Sequence, residues 1–253
     1  MASDPECVMG KVFLVVGATG GIGTALSNRL AADGASLVLA ARQEEPLQQL
    51  ATRLGAVPVM GDATQPDDVQ RMIDTAANRF DRLDGVVHLP GSLLLKPAHR
   101  TTDEEWQHTI ATNLTSAFNV IRAAIPRLRS AGGSIVLISS GAAQLGLANH
   151  EAIAAAKAGL IGLAKSAAAS YARNGIRVNT VAPGLVQTGL TASLTANDLS
   201  ARASEALHPL GRLGEPEDVA SAVAWFLHPA QQWVTGQVLG VDGGLASLKV
   251  RAS

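Results

Sequence analysis

Cysteine and tyrosine each occur once in the 253 residues, and aromatics make up only 3% of the sequence. Cys7 has no partner for a disulfide within the chain, and its place near the terminus makes it a poor candidate nucleophile. Neither sign of charge is in excess, with 20 Lys and Arg against 21 Asp and Glu. That balance excludes the basic footprint of a nucleic-acid binder and any strong pull toward an anionic membrane. The opening MASDPECVMG is acidic and lacks a basic segment followed by an apolar core, so no secretory signal is read there. No uncharged apolar run approaches the roughly 18 residues that a membrane helix requires. A cytoplasmic protein without a metal site is expected. The scarcity of tyrosine also restricts which phenol could serve as a proton donor.

Glycine, by contrast, is plentiful, and three glycines matter most. Residues 11–23 read KVFLVVGATGGIG: a short apolar run, then Gly17, Gly21 and Gly23, then a helical pattern carrying Ala25, Leu26 and Leu30. A run that is apolar at every position suits a strand buried on both faces. A strand turning into a helix on glycines offers bare backbone N–H groups and a positive helix end to a phosphate. The GxxxGxG spacing at the first strand therefore points to a nucleotide.

Strand and helix signals alternate along the rest of the chain, which predicts a parallel sheet with helices on both faces. Strands are expected at 36–41, 57–60, 85–89, 134–139, 176–181 and 237–241. Helices are expected at 44–54, 66–80, 103–128, 149–173 and 216–227, with Pro66, Asp67 and Asp68 marking one start. Residues 190–207 are polar and alanine-rich, with helix character and no strand. No repeat or linker divides the chain, so residues 1–253 read as a single dinucleotide-binding domain with 190–207 as its substrate lid.

Several further motifs join the glycine turn: Asp62-Ala63, Asn113 in ATNLTSAF, ISS ending at Ser140, Lys157, NTVAPGLVQT over 179–188, GRLGEPEDVA, and TGQVLGVDGG. In this order and spacing they resemble the short-chain dehydrogenase/reductase family, in particular its 3-oxoacyl-ACP reductase-like members. The resemblance implies an α/β fold of Rossmann type, doubly wound, with a seven-stranded parallel sheet. It implies a hydride-transferring oxidoreductase acting on a small carbonyl or alcohol, commonly as a dimer or tetramer. It places the cofactor against Gly17, Thr19, Gly21, Ile22 and Gly23 in the turn, Arg42 after strand two, Asp62 and Ala63 after strand three, and Gly91. Pro183, Gly184, Val186, Thr188 and Lys157 complete that surface, with Asp62 meeting the adenine amino group and Thr188 the nicotinamide carboxamide.

In this family the end of strand two chooses between cofactors, because an acid there binds ribose hydroxyls and repels a 2′-phosphate. Here the position holds Ala41, followed by Arg42, whose guanidinium suits a phosphate. NADP(H) is expected over NAD(H); the alternative is that Arg42 is a solvated residue at a strand end. Gly20 also lacks the second basic residue that many NADP-using relatives carry in the turn.

The family's catalytic set is Ser, Tyr and Lys with a supporting Asn, and Ser140, Lys157 and Asn113 take three of these places. The tyrosine place, thirteen residues after Ser140 and four before Lys157, holds Ile153. Isoleucine cannot donate a proton. Tyr171, fourteen residues beyond Lys157, lies too far along the helix to substitute and reads as a packing residue. His150, Ile153, Ala154 and Lys157 share one helical face, so His150 is either a replacement donor or a helix-start residue. Relatives also carry Asn-Asn-Ala-Gly after strand four, where this chain has His88-Leu89-Pro90-Gly91; His88 reads as structural. Two functions stay open: an oxidoreductase with a substitute proton donor, or a dinucleotide-binding sensor, scaffold or partner subunit with impaired catalysis.

Overall fold

The computed structural model describes residues 8–196 and 198–249, so Cys7 lies outside the described residues. Seven strands form one parallel sheet: β1 Val12–Val16, β2 Ser36–Ala41, β3 Val57–Met60, β4 Gly85–His88, β5 Gly133–Ile138, β6 Ile176–Pro183 and β7 Val238–Val241. Their order is β3-β2-β1-β4-β5-β6-β7, so the winding reverses between β1 and β4. In open α/β sheets ligands bind at the carboxyl ends of the strands beside such a reversal.

Of the eight α-helices among the described residues, six cover the two faces. α1 (Gly21–Ala32), α2 (Glu44–Leu54) and α8 (Pro216–Leu227) pack with Phe13, Val15, Leu39 and Val87 on one side. On the other, α3 (Pro66–Phe80), α5 (Ser116–Leu128) and α6 (Glu151–Tyr171) pack with Leu14, Val86, Ile135 and Leu137. Successive residues of a strand face opposite sides, so each strand feeds both cores, and all five residues of β1 are buried. α4 (Asp103–Ile110) starts on a capping box, with Thr102 and Glu105 bonding each other's backbone N–H. α7 (Asp198–Ala206) buries none of its residues.

The expected elements are present, with two differences that bear on function. The single helix expected over 103–128 is broken by a π turn at Ala111–Thr115, between α4 and α5. β4 stops at His88, one residue short of the expected end, because Pro90 has no N–H to extend the ladder. α6, together with the short turn after it, is long and apolar enough to cross a membrane by length and composition. Its buried face, with Leu160, Ala164 and Ala168, instead packs in the core, and Tyr171 lies against that same core.

Candidate active site

The glycine turn closes on itself. Gly17 has φ +84°, and a Cβ on Gly23 would lie 2.3 Å from the Gly17 carbonyl oxygen, so neither place accepts a side chain. The turn delivers the chain into α1, whose first residues carry no acid and whose cap, Gly20, contributes no side-chain bond. The free N–H groups of such a helix start seek an anion.

Beside the turn lies a cleft of about 340 Å³, lined by Gly17, Thr19 and Gly20, by Arg42 and Gln43 after β2, and by Gly61 to Thr64 after β3. Leu89, Pro90, Gly91, Thr112, Ser116 and Leu190 complete its lining. Of the expected cofactor residues, Gly17, Thr19, Arg42, Asp62, Ala63 and Gly91 meet here. Asp62 is held in place, its Oδ1 accepting from Thr64 N at 2.8 Å and its N–H donating to Asp68 at 2.8 Å. The Arg42 side chain is exposed. A shape lined by bare turn backbone, an uncapped helix start and a guanidinium fits a phosphate-bearing dinucleotide.

The other expected cofactor residues lie off this cleft. Thr188 abuts the turn, since a Cβ on Gly21 would sit 3.0 Å from its methyl group. Val186 is buried and pairs with Gly214. Pro183 ends β6, while Gly184 lines a separate pocket with His208, whose Nε2 accepts from Leu185 N at 3.1 Å. Ile22 packs against the core that includes α1.

Lys157 is buried on α6, and its ammonium donates to the Ile138 carbonyl at 2.9 Å. Burial lowers its pKa from 10.5 to about 8. Ser139 Oγ donates to the Lys157 carbonyl at 2.8 Å and so fixes α6 to the end of β5. Asn113, fully buried in the π turn, donates from Nδ2 to Ser92 Oγ and to Thr109 O, while its Oδ1 accepts from Ser92 N. A Cβ on Gly91 would fall 3.1 Å from Asn113 Oδ1 and 3.4 Å from Lys157 Nζ, so the cleft lining, the asparagine and the ammonium meet at Gly91. Ser140, extended at the end of β5, accepts from Ala142 N at 3.1 Å and keeps its O–H available to donate.

The remaining candidates are placed less centrally. Ile153 is buried, 4% exposed, one turn before Lys157. His150 stands at the N-cap of α6, where its Nδ1 donates to the Ala148 carbonyl at 2.7 Å. The spacing of residues gave no sign of Thr112 and Ser116, since their contribution depends on the π turn. His88 is fully buried, with Nε2 2.7 Å from Ser116 Oγ, and is pushed down to about 3 by burial and then by the Lys157 charge.

A family model described as enoyl-(acyl carrier protein) reductase matches residues 17–246. The chain is 36% identical over 239 residues to the 3-oxoacyl-[acyl-carrier-protein] reductase FabG of Vibrio cholerae, covering 93% of this chain and 97% of that one. It is 37% identical over 249 residues to the cis-4-hydroxycyclohexanecarboxylate dehydrogenase of Sinomonas cyclohexanicum, covering 96% and 99%. Among solved structures it resembles a short-chain type dehydrogenase/reductase from Mycobacterium ulcerans, with a TM-score of 0.90, 32% identity, and coverage of 94% and 90%. With the doubly wound sheet and the glycine turn, these likenesses make the chain a member of the short-chain dehydrogenase/reductase family of oxidoreductases.

Proposed function

We propose that this protein is an NADP(H)-dependent oxidoreductase that moves a hydride between nicotinamide and a carbonyl or alcohol, with a site that lacks the family's tyrosine. The observation that carries the reading is that Gly91, which lines the same cleft as Arg42, also lies beside Asn113 Oδ1 and Lys157 Nζ. When bound, the cofactor supplies the hydride, and the chain's residues orient the substrate and manage the proton. The Ser140 O–H polarises the carbonyl. Lys157, half ionised near pH 8, holds a proton for the developing oxyanion through water or His150. Arg42 takes the 2′-phosphate as a paired hydrogen-bond donor. Residues 190–207 cover a small apolar substrate, with Leu190 reaching the cleft.

The experiment is a comparison of NADPH and NADH binding by fluorescence, followed by turnover on a panel of ketones and alcohols. Tighter NADPH binding with measurable turnover supports the proposal. Equal affinities would remove the NADP assignment. His150→Ala lowers turnover tenfold or more if the imidazole is the donor, and leaves it unchanged if water is. The burial of Ile153 favours one second reading, a dinucleotide-binding sensor, scaffold or partner subunit. NADPH binding without turnover of any carbonyl would select it.

A further inference from the structure

Two buried side-chain atoms lack a hydrogen-bond partner among the described residues: His88 Nδ1 and Thr180 Oγ1. The first is the more informative, because its protonation state follows from its neighbours. Ser116 Oγ spends its own proton on the Thr112 carbonyl at 2.6 Å. The His88 ring must therefore donate to Ser116 through Nε2, at 2.7 Å, which leaves Nδ1 a bare lone pair. Desolvating an acceptor without replacing its hydrogen bond costs about 1–3 kcal/mol, and buried polar atoms rarely go without a partner.

The missing partner has a source nearby. In β4, Val86 faces the core shared with α5 and α6, so His88, two residues on, faces the same way. His88 is in register with Leu137, and the Lys157 ammonium is bound to the carbonyl of the next residue, Ile138. That ammonium has three N–H groups, and the Ile138 carbonyl takes one. Gly91 leaves room beside it, since a Cβ there would lie 3.4 Å from Nζ. An acceptor without a donor and a donor with N–H groups to spare thus face the same interior. Lys157 is the charged group that acts on His88, and its field together with burial keeps the imidazole neutral and accepting.

We propose that His88 is a positioning residue for Lys157: its Nδ1 holds one buried water that also accepts a hydrogen bond from the Lys157 ammonium. Two polar partners are enough to order such a water. The water gives the ammonium a second hydrogen bond and so keeps it protonated to higher pH than burial alone would allow. In a site without a phenol, that proton is the one the reaction draws on. This last step rests on the oxidoreductase reading, whereas the water site does not.

Two measurements on the wild-type chain test the site without any turnover. A high-resolution crystal structure should show a water within hydrogen-bond distance of both His88 Nδ1 and Lys157 Nζ; an empty gap, or direct contact between the two nitrogens, would overturn the proposal. Nitrogen-15 NMR should report His88 as the Nε2–H tautomer, with an Nδ1 shift that titrates together with Lys157, at a midpoint above the value of about 8 that burial alone gives, and that stops doing so in Lys157→Met. A flat Nδ1 signal across the Lys157 titration would also overturn it. The functional half is read from the pH profile of turnover. His88→Leu should move the alkaline limb to lower pH by about a unit, and His88→Asn, which keeps an acceptor, should restore most of it. Identical profiles for the two variants would reduce His88 to a packing residue. A water and an NMR midpoint in a chain with no turnover would uphold the site and retire the oxidoreductase reading alone.

Discussion

Arg42, which lines the cleft, and Ile153, buried one turn before Lys157, each carry a prediction at the scale of one side chain. Arg42→Ala should weaken NADPH by about tenfold, roughly 1.4 kcal/mol, and leave NADH nearly unchanged, as fluorescence titration would show. Ile153→Tyr should create or raise carbonyl-reductase activity by tenfold or more, since a placed general acid is worth about 10²–10⁴-fold. The new hydroxyl lies one turn from Lys157, whose charge lowers a phenol's pKa. Lys157 itself sets the pH dependence. Its folded pKa, about 8, is below the ordinary 10.5, so the native state holds fewer protons than the unfolded state between these values. Stability from this group therefore rises with pH through that window, and below pH 8 the buried charge is a fixed penalty. Lys157→Met should accordingly raise the melting temperature at pH 7, by a margin that shrinks as pH climbs from 8 toward 10.5. Ser140, Asn113 and Lys157 could be singled out because the family's spacing survives in the sequence. The Ser116 bond of His88 could not, because it joins residues from different elements that only the folded sheet brings together.

Among the elements, strands and helices were legible wherever the apolar period was long or the ends were marked. α2 and α3 run over the expected residues, helped by Gly55 in the left-handed region after one and Pro66 at the start of the other. The π turn at Ala111–Thr115 was not legible. It spans five residues, too few to shift an apolar period, and the residues around it are good helix formers. It places Asn113 in the site even so. The segment 190–207 contrasts with the rest: α7 buries nothing, and Leu199 is 81% exposed. Local opening is easiest where few apolar contacts hold an element. Limited proteolysis should cut first within 190–207, and NADPH with a bound substrate should slow that cleavage; equal rates with and without them would remove its role as a lid.

For the whole molecule, the apolar surface left exposed predicts assembly. Trp106 and Phe118 stand 41% and 46% exposed on α4 and α5, and Trp225 and Leu239 are exposed on α8 and the edge strand β7. Apolar groups gathered on such faces mark contact with another protein surface. Light scattering at micromolar concentration should return a dimer or tetramer, and a monomer would count against it. The strand order has a separate consequence for how the chain is made. Of these seven strands β1 leaves the ribosome first, yet it lies mid-sheet, and β4, its second neighbour, begins only at Gly85. Until then, five apolar residues have one edge bare, the condition that recruits chaperones and seeds aggregation. Nascent chains stalled near residue 80 should therefore be captured by holdases and precipitate when released, while chains long enough to present β4 should gain solubility.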